Sequence, residues 1–492
     1  MLVVMLGLGP AVLGACGGSV FVCEQASDCR GAGENAVCEP TGWCSFPDPS
    51  CASGARYGGL AGDGLADRCV EVGATSDGSS DPMTSQGSAS TSSASATEVT
   101  TLDTSASTTN DTGTPTCGNG VLDGPEQCDD ENLIAGDGCS PECEVSGTVI
   151  WARTMDGDTA GWGHSLAPFA NGDLAVGFVV VLDGAAVPGV WRIDPDSAVV
   201  WTWAFPNAGW TSAYTWGLDV AGNGANQRIA VAIDGDAGGA NAGVAMLDAQ
   251  GSLLWSLIEP EVVLFAAALQ PTGPMYVAGY DVSLGGVVIE YGLDGNETAR
   301  TFGEPYIPAG GLAFDLVVDG DVVYVAGRYG APEPQLAFLG AVVNSIGLRS
   351  DFGAGDYNEG LALALDPNSQ QRWISGYAEA VGGWVGIAGA GGIALEATVV
   401  TDAFSANVHG IAIDPSGAAI AVGWDSALGT RDAFVVKVAP DGTRIWASAF
   451  ETASGDDDLR DVVIAEDGSV FVVGTRLDDA GVAAGWVARL VP

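Results

Sequence analysis

The stretch GIAIDPSGAAIAVG, residues 410–423, and the stretch DAFVVKVAPDGTRIW, residues 432–446, contain the two elements that decide the fold. The first element is a short apolar run that ends in glycine. The second is an Asp/Gly turn followed by an apolar pair and a tryptophan. Apolar and β-branched runs bounded by turn residues are typical of short antiparallel strands, and helical periodicity is absent.

The glycine-ended run recurs through residues 147–492. It ends at Gly177, Gly279, Gly327, Gly376, Gly423 and Gly474, and Ala232 fills the same place between the first two. Successive members are 47 to 55 residues apart, which makes seven units. The turn-and-tryptophan element leads to Trp201, Trp255 and Trp446 in the same register. Each unit is therefore predicted to form four short strands, the pattern of one β-propeller blade.

The two ends of this region complement each other. GWVARLVP at 485–492 matches the third strand AFVVKVAP, so the last unit lacks a fourth strand. TVIWARTM at 148–155 matches the fourth strand TRIWASAF and has no first three strands of its own. We therefore expect a seven-bladed propeller whose N-terminal strand, with Trp151, completes blade seven and removes the open edges. An open stack of repeats is the alternative, but units near fifty residues are long for solenoid coils.

These repeats resemble the SBBP-type propeller repeats of bacteria, most clearly from 405 to 492. The same register predicts a ring of side chains at one mouth of the central channel, just before the innermost strand of each unit. The ring residues are His164, Trp216, Phe265, Phe314, Glu359, His409 and Arg460. A mixture of aromatic, imidazole and charged groups is suited to a sugar or a peptide. The alternative is that they only pack the funnel.

The first fifteen residues are apolar or small, which is short for a membrane span and suited to a signal peptide. Leu13-Gly14-Ala15-Cys16 resembles the lipobox of bacterial lipoproteins. That resemblance implies cleavage of 1–15 and lipidation of Cys16. The chain is then expected in the cell envelope, as an outer-membrane lipoprotein exposed at the surface or in the periplasm and bound to the membrane through its lipid.

The cysteine count supports this assignment. Of eleven cysteines, ten remain after Cys16, and they form an even group of six and an even group of four: Cys23, Cys29, Cys38, Cys44, Cys51 and Cys69, then Cys117, Cys128, Cys139 and Cys143. Even groups in an exported chain predict disulfide-stapled modules, here 16–73 and 117–146, with the pairing left open. Zinc is the competing use, but the second group has no CxxC pair and no histidine nearby.

Residues 117–143, CGNGVLDGPEQCDDENLIAGDGCSPEC, resemble the Myxococcus-type cysteine-rich repeat of deltaproteobacterial surface proteins. Members of that family usually have glycine where this chain has Glu131. Oxygen donors cluster in this module at Asp129, Asp130, Asn132 and Asp137. They predict a candidate structural Ca²⁺ site, and no other cofactor is expected. The alternative is that these acids only cap turns.

Residues 74–116 are dominated by Ser, Thr, Ala, Gly and Asp and cannot bury enough apolar surface to offset their ordering entropy. They are predicted to be a disordered linker between the two modules. Over the whole chain, 62 acidic residues face 16 basic ones, a net charge of −46. Nucleic acid is therefore excluded as a partner, because phosphates need clustered Lys and Arg.

The expected function is a lipid-anchored binding or adhesion platform without catalysis, with a glycan or protein ligand on the propeller. Two histidines are too few for a multi-histidine metal site, and no Walker A, G-x-S-x-G or H-E-x-x-H motif is present. Carboxylates are plentiful, so a propeller lyase or glycosidase is the first alternative. A structural envelope component with no ligand is the second.

Overall fold

The structure is a computed structural model of the chain. It describes residues 37–39, 44–47, 51, 53, 55–57, 70, 117–120, 122, 126–155, 161–182, 185–206, 210, 212–236, 240–302, 307–308, 310–330, 335–343, 346–352, 357–366, 368–379, 382–388, 395–399, 406–426, 431–450, 456–477 and 483–492. The chain divides into two compact units, Met1–Thr114 and Pro115–Pro492. The predicted signal peptide 1–15, lipidated Cys16 and linker 74–116 lie outside the described residues.

The first unit contains a small antiparallel sheet within the predicted six-cysteine module. Its order is β1 (Val37–Cys38), β2 (Cys44–Pro47), β3 (Ala55–Tyr57). Cys38 and Cys44 are opposite each other in the β1–β2 pair. Cys51 is disulfide-bonded. Cys23, Cys29 and Cys69 lie outside the described residues, so the pairing within this group stays open.

The second unit is a seven-bladed β-propeller, as predicted, and each blade is a four-stranded antiparallel sheet. The first three blades consist of β5 (Gly161–Pro168), β6 (Leu174–Leu182), β7 (Ala185–Ile193) and β8 (Val199–Ala204); β9 (Ser212–Ala221), β10 (Arg228–Asp236), β11 (Ala240–Asp248) and β12 (Leu253–Pro260); and β13 (Val262–Leu269), β14 (Met275–Asp281), β15 (Gly285–Tyr291) and β16 (Glu297–Phe302). A single 3-10 turn, Gly224–Asn226, is the one helical element among the described residues.

Blades four to six repeat the same order of strands. They consist of β17 (Leu312–Asp319), β18 (Val322–Tyr329), β19 (Leu336–Val343) and β20 (Ile346–Phe352); β21 (Asn358–Leu365), β22 (Arg372–Ala378), β23 (Gly382–Ala388) and β24 (Leu395–Val399); and β25 (Asn407–Ile413), β26 (Ala419–Asp425), β27 (Asp432–Val438) and β28 (Arg444–Phe450). The open stack of repeats is therefore excluded.

Blade seven is completed by the N-terminal strand. It combines β29 (Asp458–Ile464), β30 (Val470–Leu477) and β31 (Ala483–Leu490) with β4 (Val149–Thr154). Trp151 pairs with Arg489, and Thr154 pairs with Trp486. The predicted closure is confirmed, and it hydrogen-bonds the edge of β31 that would otherwise be open.

The apolar cores lie between the blades. Each of the seven junctions between neighbouring blades contains one cluster of buried aliphatic and aromatic side chains. At the closing junction, Leu174 and Ile193 of blade one pack with Phe471 and Val487 of blade seven. Every blade is therefore buried on both faces, which explains why the strands are rich in Val, Ile and Ala throughout.

Three of the tryptophans that mark the repeat in the sequence connect neighbouring blades through a hydrogen bond. The indole N–H of Trp151 donates to the Pro195 carbonyl at 2.9 Å, that of Trp201 to Ala249 at 3.2 Å, and that of Trp255 to Leu293 at 3.0 Å. In each case the acceptor lies in the turn before the outermost strand of the next blade. These bonds fix the blades at their outer edge.

The repeated glycine is required by a close approach to a carbonyl oxygen of the first strand in blades three to seven. A Cβ atom at Gly279 would lie 1.9 Å from the Val263 carbonyl oxygen, and one at Gly423 would lie 1.8 Å from that of Asn407. Ala232 does not occupy this place: it pairs with Gly217, just after the residue that is left out of the ladder, whereas Gly279 and Gly423 pair with the residue just before it. The glycine-ended run is thus a packing requirement of the hairpin between the first and second strands.

The four-cysteine module forms two nested disulfides, Cys117–Cys143 and Cys128–Cys139. These bonds use the four sulfurs that the zinc alternative would require. Glu131 adopts a left-handed backbone (φ 68°), at the position where the repeats that this module resembles usually have glycine. Its amide donates to Asp129 Oδ1 at 3.0 Å, which stabilises this turn despite the unfavourable conformation.

Lys437, the only lysine of the chain, connects this module to blade six. Its Nζ donates to the Gly136 carbonyl at 2.6 Å and forms an ion pair with Asp414 Oδ2 at 2.7 Å. Both side chains are largely buried. The module therefore packs on the propeller and is part of the same compact unit.

None of the described residues forms a helix long and apolar enough to cross a membrane.

Candidate functional site

A β-bulge interrupts the innermost strand of every blade. The pairing between the first and second strands shifts by one residue at the same level in all seven blades. A bulge leaves one residue out of the ladder and turns its side chain away from the regular alternation. In a propeller the innermost strands surround the central axis, so seven bulges provide a ring of seven side chains.

The bulged residues line one cavity of about 230 Å³. In blade order they are His164, Trp216, Phe265, Phe314, Leu361, His409 and Arg460. Six of them belong to the ring proposed from the sequence. The sequence had placed these residues just before the innermost strands, whereas the structure places them within those strands, at the bulges.

Glu359 is the exception, and the register expected for blade five needs correction. Gly360 pairs with Gly376, so Leu361 is the residue left out of the ladder. Glu359 lies two positions earlier and does not line the cavity. Its carboxylate forms an ion pair with Arg328 at 2.9 Å and accepts a hydrogen bond from the Tyr357 hydroxyl at 2.6 Å. Pairing Gly376, the repeat glycine, with Gly360 across the hairpin would have identified Leu361 as the bulged residue.

The cavity has an aromatic side and a polar side. The rings of Trp216 and Phe265 are 6.2 Å apart, and those of Phe265 and Phe314 are 5.3 Å apart, centroid to centroid. These three rings form an aromatic arc over blades two to four. His409, Arg460 and His164 occupy blades six, seven and one. The cavity is thus shaped to contact a ligand with one apolar face and one polar face.

His164 is 6% exposed, and both of its ring nitrogens lack a hydrogen-bond partner. Burial, with a smaller contribution from the charge of Arg460, lowers its pKa to about 3, so the ring is neutral at physiological pH. Tyr214 meets the imidazole edge-on at 5.2 Å, which satisfies at most one nitrogen. A buried polar group without partners is costly, which makes this histidine the first candidate in the cavity for contact with a ligand.

His409 and Arg460 are held by neighbouring side chains. The indole N–H of Trp424 donates to His409 Nε2 at 3.1 Å, which places the proton of the neutral ring on Nδ1. Burial and nearby arginines lower the pKa of His409 well below its ordinary value. The Arg460 guanidinium donates through Nη2 to Asp458 at 2.5 Å, while its Nε has no partner.

Three aspartates clamp neighbouring blades together beside the ring. Asp461 accepts the amide of Val462 on its own strand and the amide of Leu166 on blade one, at 2.8 and 2.7 Å. Asp315 bonds Leu316 and Leu363 in the same way, and Asp219 bonds Val220 and Leu269. Both oxygens of each carboxylate are therefore engaged, one by its own strand and one by the neighbouring blade. Asp315 and Asp461 also line the cavity.

Burial raises the pKa of Asp219 to about 6 and that of Asp315 and Asp461 to about 7. The amide hydrogen bonds oppose this shift by stabilising the charged form. Raised carboxyl pKa values in a cavity are typical of acid–base catalysis, but structural networks produce them too. Here every oxygen already accepts a backbone amide, which favours the structural role.

The candidate calcium ligands are engaged by protein donors. Asp129 accepts the amides of Gly118, Asn119, Gly120 and Glu131, and the hydrogen bond from Glu131 contributes most to lowering its pKa. The Asn132 amide nitrogen donates to Asp137 Oδ2 at 3.1 Å. Asp129 therefore organises the turn, and the calcium site stays a prediction that rests on Asp130 and Asp137.

No protein-family model matches the chain, and no curated protein is significantly similar to it. Among solved structures, it is similar to a chain of the mitotic checkpoint complex at 12% identity and a TM-score of 0.47, over 71% of this chain and 97% of that one. The Dos1 propeller matches at 11% identity and 0.42, over 69% and 94%.

A gluconolactonase from Xanthomonas campestris is similar at 14% identity and a TM-score of 0.38, over 70% of this chain and 94% of that chain. Likenesses this weak say nothing about the reaction or the ligand of the present chain. The propeller assignment rests on the strand order of its own seven sheets.

Proposed function

We propose that this chain is a binding protein of the bacterial cell envelope whose propeller holds a small polar group, or the end of a larger glycan or protein, in the cavity ringed by the bulged residues. The observation that carries the proposal is the unpartnered, buried imidazole of His164 in a cavity with an aromatic arc. Buried indoles between the blades, such as those of Trp373 and Trp446, lack one partner each, whereas His164 lacks partners at both nitrogens and lines a cavity.

We further propose that the site binds without catalysis. Asp315 and Asp461 are the acids with raised pKa values in the cavity, but their oxygens serve the blade junctions. Glu359, the carboxylate that a catalytic pair with Arg460 and His409 would use, is bound to Arg328 instead. A propeller lyase or glycosidase would need an acid free to exchange a proton with the substrate.

The test is binding of the full chain to arrays of glycans and of peptides, with Phe314→Ala as the cavity variant. We expect binding on one array, loss of that binding in the variant, and no change in the bound molecule by mass spectrometry. Release of shortened or unsaturated products would favour the enzyme. Binding that survives Phe314→Ala, or no binding at all, would contradict the proposal.

The envelope location is proposed from the lipobox-like Leu13-Gly14-Ala15-Cys16. In this proposal Cys16 carries the lipid, and residues 74–116 hold the propeller away from the membrane. Expression in a bacterium with labelled palmitate should label the wild-type chain and leave Cys16→Ser unlabelled. A wild-type chain recovered unlabelled from the medium would overturn the anchor.

A further inference from the structure

We infer that the ligand of the cavity is a neutral pyranose, the terminal ring of a saccharide. This inference rests on the proposed binding function and names the class of ligand. It is carried by the polar atoms that the described structure leaves without partners and by the aromatic arc that lines the same cavity.

The side chains that line the cavity carry buried polar atoms without partners, and most of these atoms are donors. A neutral imidazole has one N–H and one acceptor nitrogen, and both nitrogens of His164 are buried and unpartnered, so a ligand reaches them when the ring turns toward the cavity. Trp216 Nε1 and Arg460 Nε add two further buried N–H groups without partners. Three donors therefore stand against one acceptor, and a ligand that satisfies them must bring mainly acceptor oxygens.

A cation does not fit this inventory. An ammonium group offers only donors and would leave all three N–H groups of the wall unsatisfied. The aromatic arc by itself would suit a cation, but a cation bound on the arc would leave these N–H groups without acceptors.

An anion fits the donors but not the electrostatics. Asp315 and Asp461 line the same cavity, and the chain as a whole has a net charge of −46. The single cation of the ring, Arg460, is already paired with Asp458 at 2.5 Å. A bound carboxylate would meet like charges with no free counter-charge.

A neutral pyranose satisfies both sides. Its hydroxyl and ring oxygens accept from the N–H groups, and its hydroxyls donate to the open acceptor of His164. One face of the ring carries C–H groups, which pack on Trp216, Phe265 and Phe314. The cavity volume of about 230 Å³ lies below the roughly 300–1,000 Å³ typical of drug-sized ligand pockets, which is consistent with one ring and not an oligosaccharide.

The experiment is saturation-transfer NMR on the full chain with the methyl glycosides of glucose, galactose, mannose and N-acetylglucosamine. Glucuronate and choline serve as the anionic and cationic probes. We expect transfer to at least one neutral glycoside, stronger than to either charged probe. Choline or glucuronate binding more strongly than every neutral glycoside would overturn the inference, and so would no transfer to any glycoside.

The matched variants are His164→Phe, which keeps an aromatic ring and removes both nitrogens, and Trp255→Phe, which removes one indole N–H at the outer edge of the propeller. His164→Phe should weaken the glycoside about tenfold, while Trp255→Phe leaves it unchanged. Equal affinity of wild type and His164→Phe would overturn the inference. If His164→Phe does not fold, Trp216→Phe provides the same comparison for the indole donor. Peptide-array binding that needs Phe314, without glycoside binding, overturns the pyranose and leaves the binding function standing.

Discussion

Replacing Lys437 with methionine tests how the cysteine-rich module is held on the propeller. Methionine keeps the apolar stem and removes the charge that bonds Gly136 and Asp414. Asp414 Oδ1 keeps its bonds from Ser416 and Ala418, so Oδ2 is the atom left without a partner. Removing one partner of a buried ion pair costs about 3–5 kcal/mol. We expect about 3 kcal/mol, because Asp414 retains its turn contacts.

The assay is chemical denaturation of the full chain followed by tryptophan emission, at neutral and at acid pH. Burial raises the pKa of Asp414, but the hydrogen bonds from Lys437 and Ser416 outweigh it, so the pKa is lowered on balance. A carboxylate with a lowered pKa stabilises the fold above its unfolded pKa of about 3.9, and this contribution is lost as the pH falls through the folded value. The difference between wild type and Lys437→Met should therefore shrink in acid.

The single lysine provides a second readout. An amine-reactive acetylating reagent can modify only Lys437 and the amino terminus. A Lys437 amine buried between Gly136 and Asp414 should react far more slowly in the native chain than in denaturant. A loss of stability below about 1 kcal/mol, or native acetylation at the rate of the unfolded chain, would refute the docking described here.

Three further predictions concern the propeller itself. Gly279→Ala should destabilise the fold by about 1–3 kcal/mol or more, because its Cβ would lie 1.9 Å from the Val263 carbonyl oxygen. Ala232→Gly should cost about 1 kcal/mol through the added backbone freedom. Equal losses of stability in urea unfolding would contradict the close approach at Gly279. Trp151→Phe should cost about 1 kcal/mol through the lost bond to Pro195, and an unchanged denaturation midpoint would speak against the closing strand. Burial raises the pKa of Asp315 and Asp461 to about 7. Their contribution to the stability of the fold is therefore present below the unfolded pKa and is lost as pH rises through the folded value. Because the cavity admits water, we expect this contribution to be on the order of 1–2 kcal/mol per carboxylate. Asp461→Asn should reduce this pH dependence, and a wild-type chain that is more stable at alkaline than at mildly acid pH would contradict the sign.

The propeller was predictable from the sequence because its repeat is local. Most hairpins between first and second strands need a glycine at the same place, and each outer strand follows a turn. Gly279, Gly423 and Trp446 therefore mark the repeat register in the sequence alone. The split final blade follows from the same register, since Trp151 and Trp446 occupy matching places in TVIWARTM and TRIWASAF.

The site was only partly predictable, because its position depends on pairing across a hairpin. The loops between first and second strands vary in length from blade to blade, and counting along the chain placed Glu359 where the pairing of Gly360 with Gly376 places Leu361. Asp219 was missed altogether: it lies three residues after its bulged residue, while Asp315 and Asp461 lie one residue after theirs.

Contacts between distant segments were invisible in the sequence. The bond from Lys437 to Gly136 joins residues 301 positions apart, and that from Leu166 to Asp461 joins residues 295 apart. The lack of partners at His164 has the same origin, because the local sequence does not show which polar groups fall within reach of a buried ring.

The most direct test of the central claim is a crystal structure of the full chain grown with the neutral methyl glycoside that binds best. We expect one sugar ring in the cavity, with its C–H face on Trp216 and Phe314 and an oxygen within hydrogen-bond distance of a His164 nitrogen. A ring bound at the outer edge of the blades, with the cavity and His164 untouched, would contradict the claim that the seven bulges form the binding site.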